Sequence, residues 1–145
     1  MSCTSWRKLS EAFSEIVSMF AIEKLKSKSE GASLAAVWKS SANDATKVAP
    51  IYLANELAPK ISTSGDSSTG IDRIDLVYSK GAHLLHALRK ELGDDLFFSV
   101  LRSFLRSFEK RQTVTTDDFV GLLGFVTKKD WKPWFEKYYY GTEMP

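Results

Sequence analysis

Apolar residues recur at helical spacing in the N-terminal part of the chain. Between Trp6 and Leu25 these positions are Leu9, Phe13, Ile16, Val17 and Phe20. A continuous apolar stripe of this kind is typical of a long amphipathic helix. The sequence therefore predicts that the chain opens with such a helix.

A second helix is predicted over residues 31–48, after a break at Gly31. Its expected buried positions are Leu34, Val37 and Trp38. Farther along, "STSGDSSTG" from Ser62 to Gly70 contains only small, polar and turn-forming residues, which is the composition of a solvated loop. This loop divides the chain into two helical halves.

The second half predicts several shorter helices. Apolar residues from Ile74 to Leu92 again recur every three or four positions, and Gly93 is a plausible stop. The next segment has acidic residues first and basic residues last, an order that complements the helix dipole. Its apolar side is expected to comprise Phe97, Val100, Leu101, Phe104, Leu105 and Phe108.

Two more helices are predicted near the C-terminus. "TVTTDDFVGLLGFV" opens with a threonine that can cap backbone N–H groups and has two aspartates in its first turn. The aromatic-rich "KKDWKPWFEKYYYGTEMP" predicts a last helix that ends before Gly141. Because no segment alternates strongly enough to indicate a sheet, we expect an all-α, compact multi-helix bundle that forms a single helical domain over residues 1–145.

Composition supports a folded chain and excludes some classes of function. At 145 residues with 43% hydrophobic and 26% charged residues, the chain is globular and long enough to bury a core. The net charge of +2 provides no basic stripe for nucleic acid and no polybasic membrane anchor. Cys3 is the sole cysteine, so no internal disulfide or thiolate metal cluster can form.

These residues contain no apolar run of membrane-spanning length and no signal peptide, although a signal could precede Met1. We therefore expect a soluble chain, and the sequence does not indicate its compartment.

The two histidines, His83 and His86, are three residues apart on a predicted helix. That spacing can place two imidazoles near one metal ion, together with a nearby acid. However, no H-E-x-x-H pattern includes them, and the spacing is more typical of one partly buried and one surface histidine. Glycine-rich phosphate loops and nucleophilic serine motifs are absent.

Two other features are harder to explain from packing alone. Glu11 lies nearly opposite the apolar stripe of the first helix, where a solvated face is the ordinary explanation. The run Tyr78-Ser79-Lys80-Gly81 places a glycine inside a helix, which costs roughly 1 kcal/mol relative to alanine unless close packing offsets it. Composition by itself favours a packing glycine beside an amphipathic tyrosine.

Several motifs nevertheless occur in a familiar order. "VYSKGAHLLHALRKELGDDLFFSVLRSFLRSFEKRQTVTTDDFVGLL", followed by "WKPWFEKYYYGTEMP", resembles the C-terminal helical part of the catalytic domain of gluzincin zinc aminopeptidases, the class of aminopeptidase N and leukotriene hydrolase. The shared features are a Y-x-K-G motif, a V-T-T-D-D-F-like helix start and an aromatic segment that ends in glycine and proline. Upstream, "LSEAFSEIVSMFAIEKL" resembles the family segment L-[NS]-E-G-F-A, with Ala12 in place of glycine and Ser14 in place of alanine.

The resemblance implies roles for two residues. Glu11 matches the glutamate that supplies the third zinc ligand, and Tyr78 matches the tyrosine that stabilises the tetrahedral intermediate. A phenol, with an ordinary pKa near 10, stays protonated at neutral pH and can donate a hydrogen bond to an oxyanion. In the same comparison Gly81 allows close approach of a neighbouring backbone, and Lys80 is structural support.

The family's remaining chemistry does not occur in these 145 residues. Neither H-E-x-x-H nor the G-x-M-E-N motif for the substrate amino group is present. The resemblance therefore implies a zinc aminopeptidase that acts on peptides in the intact parent, with an N-terminal zinc-bearing part as partner. We expect no zinc and no activity for this chain alone. The alternative is a non-catalytic helical module, derived from that family, that binds a protein partner.

Overall fold

The computed structural model describes residues 5–47, 49–53, 75–111 and 113–145, with the side chains of residues 5–8 and 53 excepted. The predicted polar loop at 62–70 lies outside these ranges. The described chain is all-α, as predicted. Its helices are α1 (Ser5–Leu25), α2 (Lys28–Ala45), α3 (Gly81–Leu92), α4 (Asp94–Phe108), α5 (Thr116–Thr127) and α6 (Lys132–Tyr138). None of these helices is long and apolar enough to cross a membrane.

Helix α1 buries a stripe slightly different from the predicted one. Its fully buried side chains are Leu9, Ala12, Ile16 and Met19, whereas Phe13 and Phe20 are half-buried. The prediction was wrong for Val17, which is 57% exposed. Consecutive helical residues are about 100° apart, so the residue that follows Ile16 turns away from the α2 and α3 side.

Helix α2 begins one turn earlier than predicted. The Ser27 hydroxyl accepts a hydrogen bond from the Glu30 amide at 3.2 Å, so the helix starts at Lys28 and the predicted break at Gly31 was wrong. Trp38 is buried as expected, but Val37 is 60% exposed. Gly31 lies inside the helix, where α1 approaches closely.

The predicted ends of α3 and α6 are confirmed, but α3 begins at Gly81 and not where the apolar pattern starts near Ile74. Gly93 ends α3 with a positive φ of 78°, a conformation that glycine adopts without strain. Helix α5 starts with a reciprocal capping box between Thr115 and Asp118, and α6 ends before Gly141. The predicted apolar side of α4 was wrong for Leu105, which is 69% exposed.

The core has one large apolar cluster and one small one. The large cluster joins residues of α1 through α6, and at its centre the rings of Phe13 and Phe104 each meet Phe119 edge-to-face, with centroids 5.3 and 5.2 Å away. Burial of one such side chain contributes on the order of 1.5–3 kcal/mol. The small cluster comprises Ala45, Ala49, Leu76 and Val77.

A buried arginine joins three of the helices. Arg89 of α3 donates hydrogen bonds to Glu23 of α1 at 2.9 Å and to Asp94 of α4 at 2.7 Å, and its guanidinium lies 5.0 Å from the centre of the Phe20 ring. The hydrogen bond from Arg89 lowers the pKa of Asp94 below its usual value. Helices α1, α3 and α4 are therefore fixed to one another by ionic as well as apolar contacts.

Candidate functional site

The run that looked odd in the sequence forms a π-helical turn. Residues Asp75–Lys80 adopt this wider turn and continue directly into α3 at Gly81. Short π-helical segments are rare and occur frequently at functional sites. Helix propensity alone did not explain the Tyr78-Ser79-Lys80-Gly81 run, and the unusual turn shows that it is locally distinct.

Tyr78 lies on this turn and is half-buried. Its side chain packs against the small apolar cluster, to which the turn contributes Leu76 and Val77 and the α2 end contributes Ala45 and Ala49. The turn also packs against α1. The element that carries Tyr78 is therefore held between two N-terminal helices.

Glu11 is half-buried on α1, with the fully buried Ala12 beside it. The sequence predicted a solvated position for Glu11, whereas the structure places it at the border of the buried face. Because α1 packs directly against the π-helical turn, the elements that carry Glu11 and Tyr78 are neighbours.

Lys80 is the most deeply buried charged residue among those described. It is 0% exposed, and its Nζ donates hydrogen bonds to the Thr46 hydroxyl at 2.7 Å and to the Gly141 carbonyl at 3.1 Å. The Thr46 hydroxyl in turn donates to the Thr142 carbonyl at 2.5 Å. Burial lowers the pKa of Lys80 to about 8, because desolvation disfavours the ammonium.

Both histidines lie deeper than expected. His83 is 7% exposed and His86 is half-buried. Neither ring nitrogen of His83 makes a hydrogen bond of good geometry within the described chain. The nearby Pro145 backbone raises the pKa of His83, but this effect is smaller than that of burial. Burial, reinforced by the charge of Lys39, lowers the pKa of His83 to about 4. The neutral ring therefore predominates at neutral pH.

The described residues do not form a metal site. No group of three or more histidine, cysteine, aspartate or glutamate side chains in this part of the chain could hold a metal ion. This finding opposes a site built from His83, His86 and an acid. It also means that Glu11 has no matching set of ligands here, so the described residues alone do not fit the zinc ion that the resemblance implies.

A groove between α5 and α6 was not predicted. Its volume is about 860 Å³, and its lining includes Val120 and Gly121 of α5 and Trp131 and Phe135 beside or in α6. Phe125, on α5, is 71% exposed. The two glycines of "GLLG" could have indicated a groove, because positions without side chains leave space on a helix face. They do not indicate that α6 forms the opposite side of that groove.

Comparison with known proteins identifies the family. The model of the peptidase family M1 domain matches residues 1–138, which is nearly the whole chain. No curated protein and no solved structure matches. The family match agrees with the order of motifs and with the all-α fold. The chain therefore belongs to peptidase family M1.

Proposed function

We propose that this chain supplies the Glu11 and Tyr78 half of an M1 aminopeptidase active site. The observation that carries the proposal is the direct packing of the π-helical turn with Tyr78 against the helix with Glu11, in a chain of established family. The substrate would be a peptide, and the reaction would remove its N-terminal residue. The two histidine ligands and the general base would have to come from an H-E-x-x-H segment, which these 145 residues do not contain.

Tyr78 has a chemical role that does not require a metal in this chain. A phenol O–H can donate a hydrogen bond to the oxygen that becomes negative when a peptide carbonyl is attacked. Its half-buried position supports this role, because a donor held by packing needs little reorganisation as the charge develops. We assign Tyr78 this stabilising role.

Glu11 would be one of three protein ligands to a catalytic zinc. When bound, such an ion activates water and polarises the substrate carbonyl. A single carboxylate does not provide a zinc site, and no further ligand set lies in the described residues. On this basis we propose that the isolated chain is inactive and that its partner is the zinc-bearing part of the catalytic domain.

The 145 residues would act as one unit in this assembly. The Arg89 to Glu23 ion pair and the Lys80 to Thr46 hydrogen bond each join the segments before and after residues 54–74. These buried links support the proposal of a single helical domain.

Zinc analysis tests the assignment of Glu11. The chain would be purified alone and after co-expression with an H-E-x-x-H lobe from a peptidase family M1 member. We expect no stoichiometric zinc in the chain alone, one zinc per assembled complex, and loss of that zinc in Glu11→Gln. Glu15→Gln, one helical turn away, is the matched control and should retain zinc. Equal zinc in both variants would contradict the assignment.

The α5–α6 groove favours a second candidate, a non-catalytic module that binds a protein partner. Phe125 on α5 is exposed, and the groove lining combines apolar residues such as Val120 and Phe135 with charged residues at its other positions, a mixture found at protein interaction sites. Under this alternative, Phe125→Ser would weaken binding to the partner, and the complementary lobe would not compete for it. Activity in the co-expressed complex would instead support the enzyme proposal.

A further inference from the structure

Two motifs that are far apart in sequence meet at Lys80. The Tyr78-Ser79-Lys80-Gly81 run and the C-terminal Gly141 are about sixty residues apart, yet the Lys80 ammonium donates to the Gly141 carbonyl at 3.1 Å. The second acceptor, the Thr46 hydroxyl, follows the end of α2. One buried ammonium thus connects the π-helical turn, the end of α2 and the segment after α6.

Gly141 is required for this connection. A Cβ built on Gly141 would collide with the Lys137 carbonyl and would lie 3.0 Å from the Glu136 carbonyl. Both are backbone atoms of α6 and cannot move aside as a flexible side chain would. Glycine therefore allows the chain to turn tightly after α6 and to present its carbonyl to Lys80.

Burial of the Lys80 ammonium is energetically costly. Transfer of a charge out of water is unfavourable, and two neutral acceptors offset only part of the cost, which is why the pKa of this lysine is lowered to about 8. A methionine of similar length would fill the same space without that cost. The ammonium therefore contributes to the relative positions of three backbone segments, which its hydrogen bonds connect, and not to a net gain in stability.

Tyr78 and Lys80 belong to the same short element. The π-helical turn is only six residues long, and Leu76, Val77 and Lys80 are its buried residues. The two apolar side chains lie in the small cluster and the ammonium is hydrogen-bonded to its two acceptors, so buried contacts hold the turn at both places. Tyr78 lies between these anchors, so its position depends on both.

We propose that Lys80 is a positioning residue for Tyr78, holding the π-helical turn to Thr46 and Gly141 so that the phenol is fixed in place. The proposal rests on the proposed function only for the role of Tyr78. The position of the phenol can be measured without activity.

The test is NMR of the 145-residue chain labelled at its tyrosine rings, with the Tyr78 signal assigned from Tyr78→Phe. The variants are Lys80→Met, which keeps length and removes the donors, and Thr46→Val, which removes one acceptor. Lys47→Met is the control, because Lys47 is adjacent to Thr46 but exposed. We expect Lys80→Met and Thr46→Val to shift the Tyr78 signal more than that of any other tyrosine, and Lys47→Met to leave it unchanged.

A lysine that only stabilises the fold gives a different result. In that case Lys80→Met would lower the unfolding midpoint. The Tyr78 signal of the folded variant would be unmoved, or all tyrosine signals would shift alike. Either result overturns the proposal. If Lys80→Met does not fold, the Thr46→Val spectrum decides by the same criterion. An unmoved Tyr78 signal overturns this inference alone, whereas an active complex that tolerates Tyr78→Phe overturns the role of Tyr78 alone.

Discussion

At the residue scale, two buried basic groups have opposite environments. Lys80 has two hydrogen-bond acceptors, whereas His83 has no partner of good geometry within the described chain. Desolvation is the main cause of the lowered pKa in both cases. Each group therefore makes the stability of the fold depend on pH, in ranges that do not overlap.

Lys80 should make the chain more stable at mildly alkaline pH. Its folded pKa of about 8 is below its ordinary value of 10.5, so between these pH values the unfolded chain binds more protons and stability rises with pH. From pH 7 to pH 9.5 we expect the free energy of unfolding to rise by about 2 kcal/mol. Urea unfolding should show this gain in the parent chain and in Lys47→Met but not in Lys80→Met. A gain that persists in Lys80→Met would exclude Lys80 as its source.

His83 should produce the acid counterpart. Its folded pKa of about 4 lies below the ordinary 6.5, because of burial first and then the charges of Lys39, His86 and Lys90. Stability is fully present above pH 6.5 and falls as the pH drops toward 4, since the unfolded chain then binds the additional proton. Between pH 7 and pH 5, we expect the free energy of unfolding to fall by about 2 kcal/mol less in His83→Leu than in the parent chain, as measured by urea unfolding. Parallel losses in the two proteins would contradict this.

At the element scale, the contact between α1 and α2 depends on a missing side chain. A Cβ at Gly31 would lie 2.5 Å from Glu23 Cγ, so Glu23 would have to move and would disturb its ion pair with Arg89. Gly121 of α5 has nothing within 4 Å of the same built atom. The two glycines differ in what their replacement costs.

We expect opposite effects when these glycines are replaced by alanine. Gly121→Ala should stabilise the chain by about 0.5–1 kcal/mol, because alanine has the higher helix propensity. Gly31→Ala should instead destabilise the chain by about 1 kcal/mol or more, because disturbance of the buried Arg89 ion pair outweighs the gain in helix propensity. Thermal unfolding of the two variants provides the comparison, and equal stabilisation of both would show that the approach at Gly31 is not restrictive.

At the scale of the whole molecule, local signals predicted the fold but not its long-range contacts. Gly93 was predicted to end α3, and this is confirmed, because a cap depends on neighbouring residues. A threonine was predicted to cap α5, and the capping residue is Thr115. Periodicity was less reliable for Val17 and Leu105, since it defines a helix face and not the edge at which other helices pack. The sequence could not predict that Lys80 meets Thr46 and Gly141, because that contact requires the assembled fold.

The candidate site was predicted from different information. Glu11 and Tyr78 were selected by their positions in family-like motifs, and helical periodicity alone favoured ordinary explanations for both. The structure adds that their elements pack together and that Tyr78 lies on a π-helical turn. Their catalytic roles remain proposals that depend on a lobe carrying H-E-x-x-H.

The most direct test of this account is the kcat for aminoacyl-anilide hydrolysis by the chain co-expressed with an H-E-x-x-H lobe of peptidase family M1. We predict an active complex in which Tyr78→Phe lowers kcat by about 100-fold or more while the zinc remains bound, as expected when one oxyanion donor is removed. Tyr52→Phe, at an exposed tyrosine, should leave kcat unchanged. A zinc-loaded complex whose kcat is the same with Tyr78→Phe would contradict the central claim.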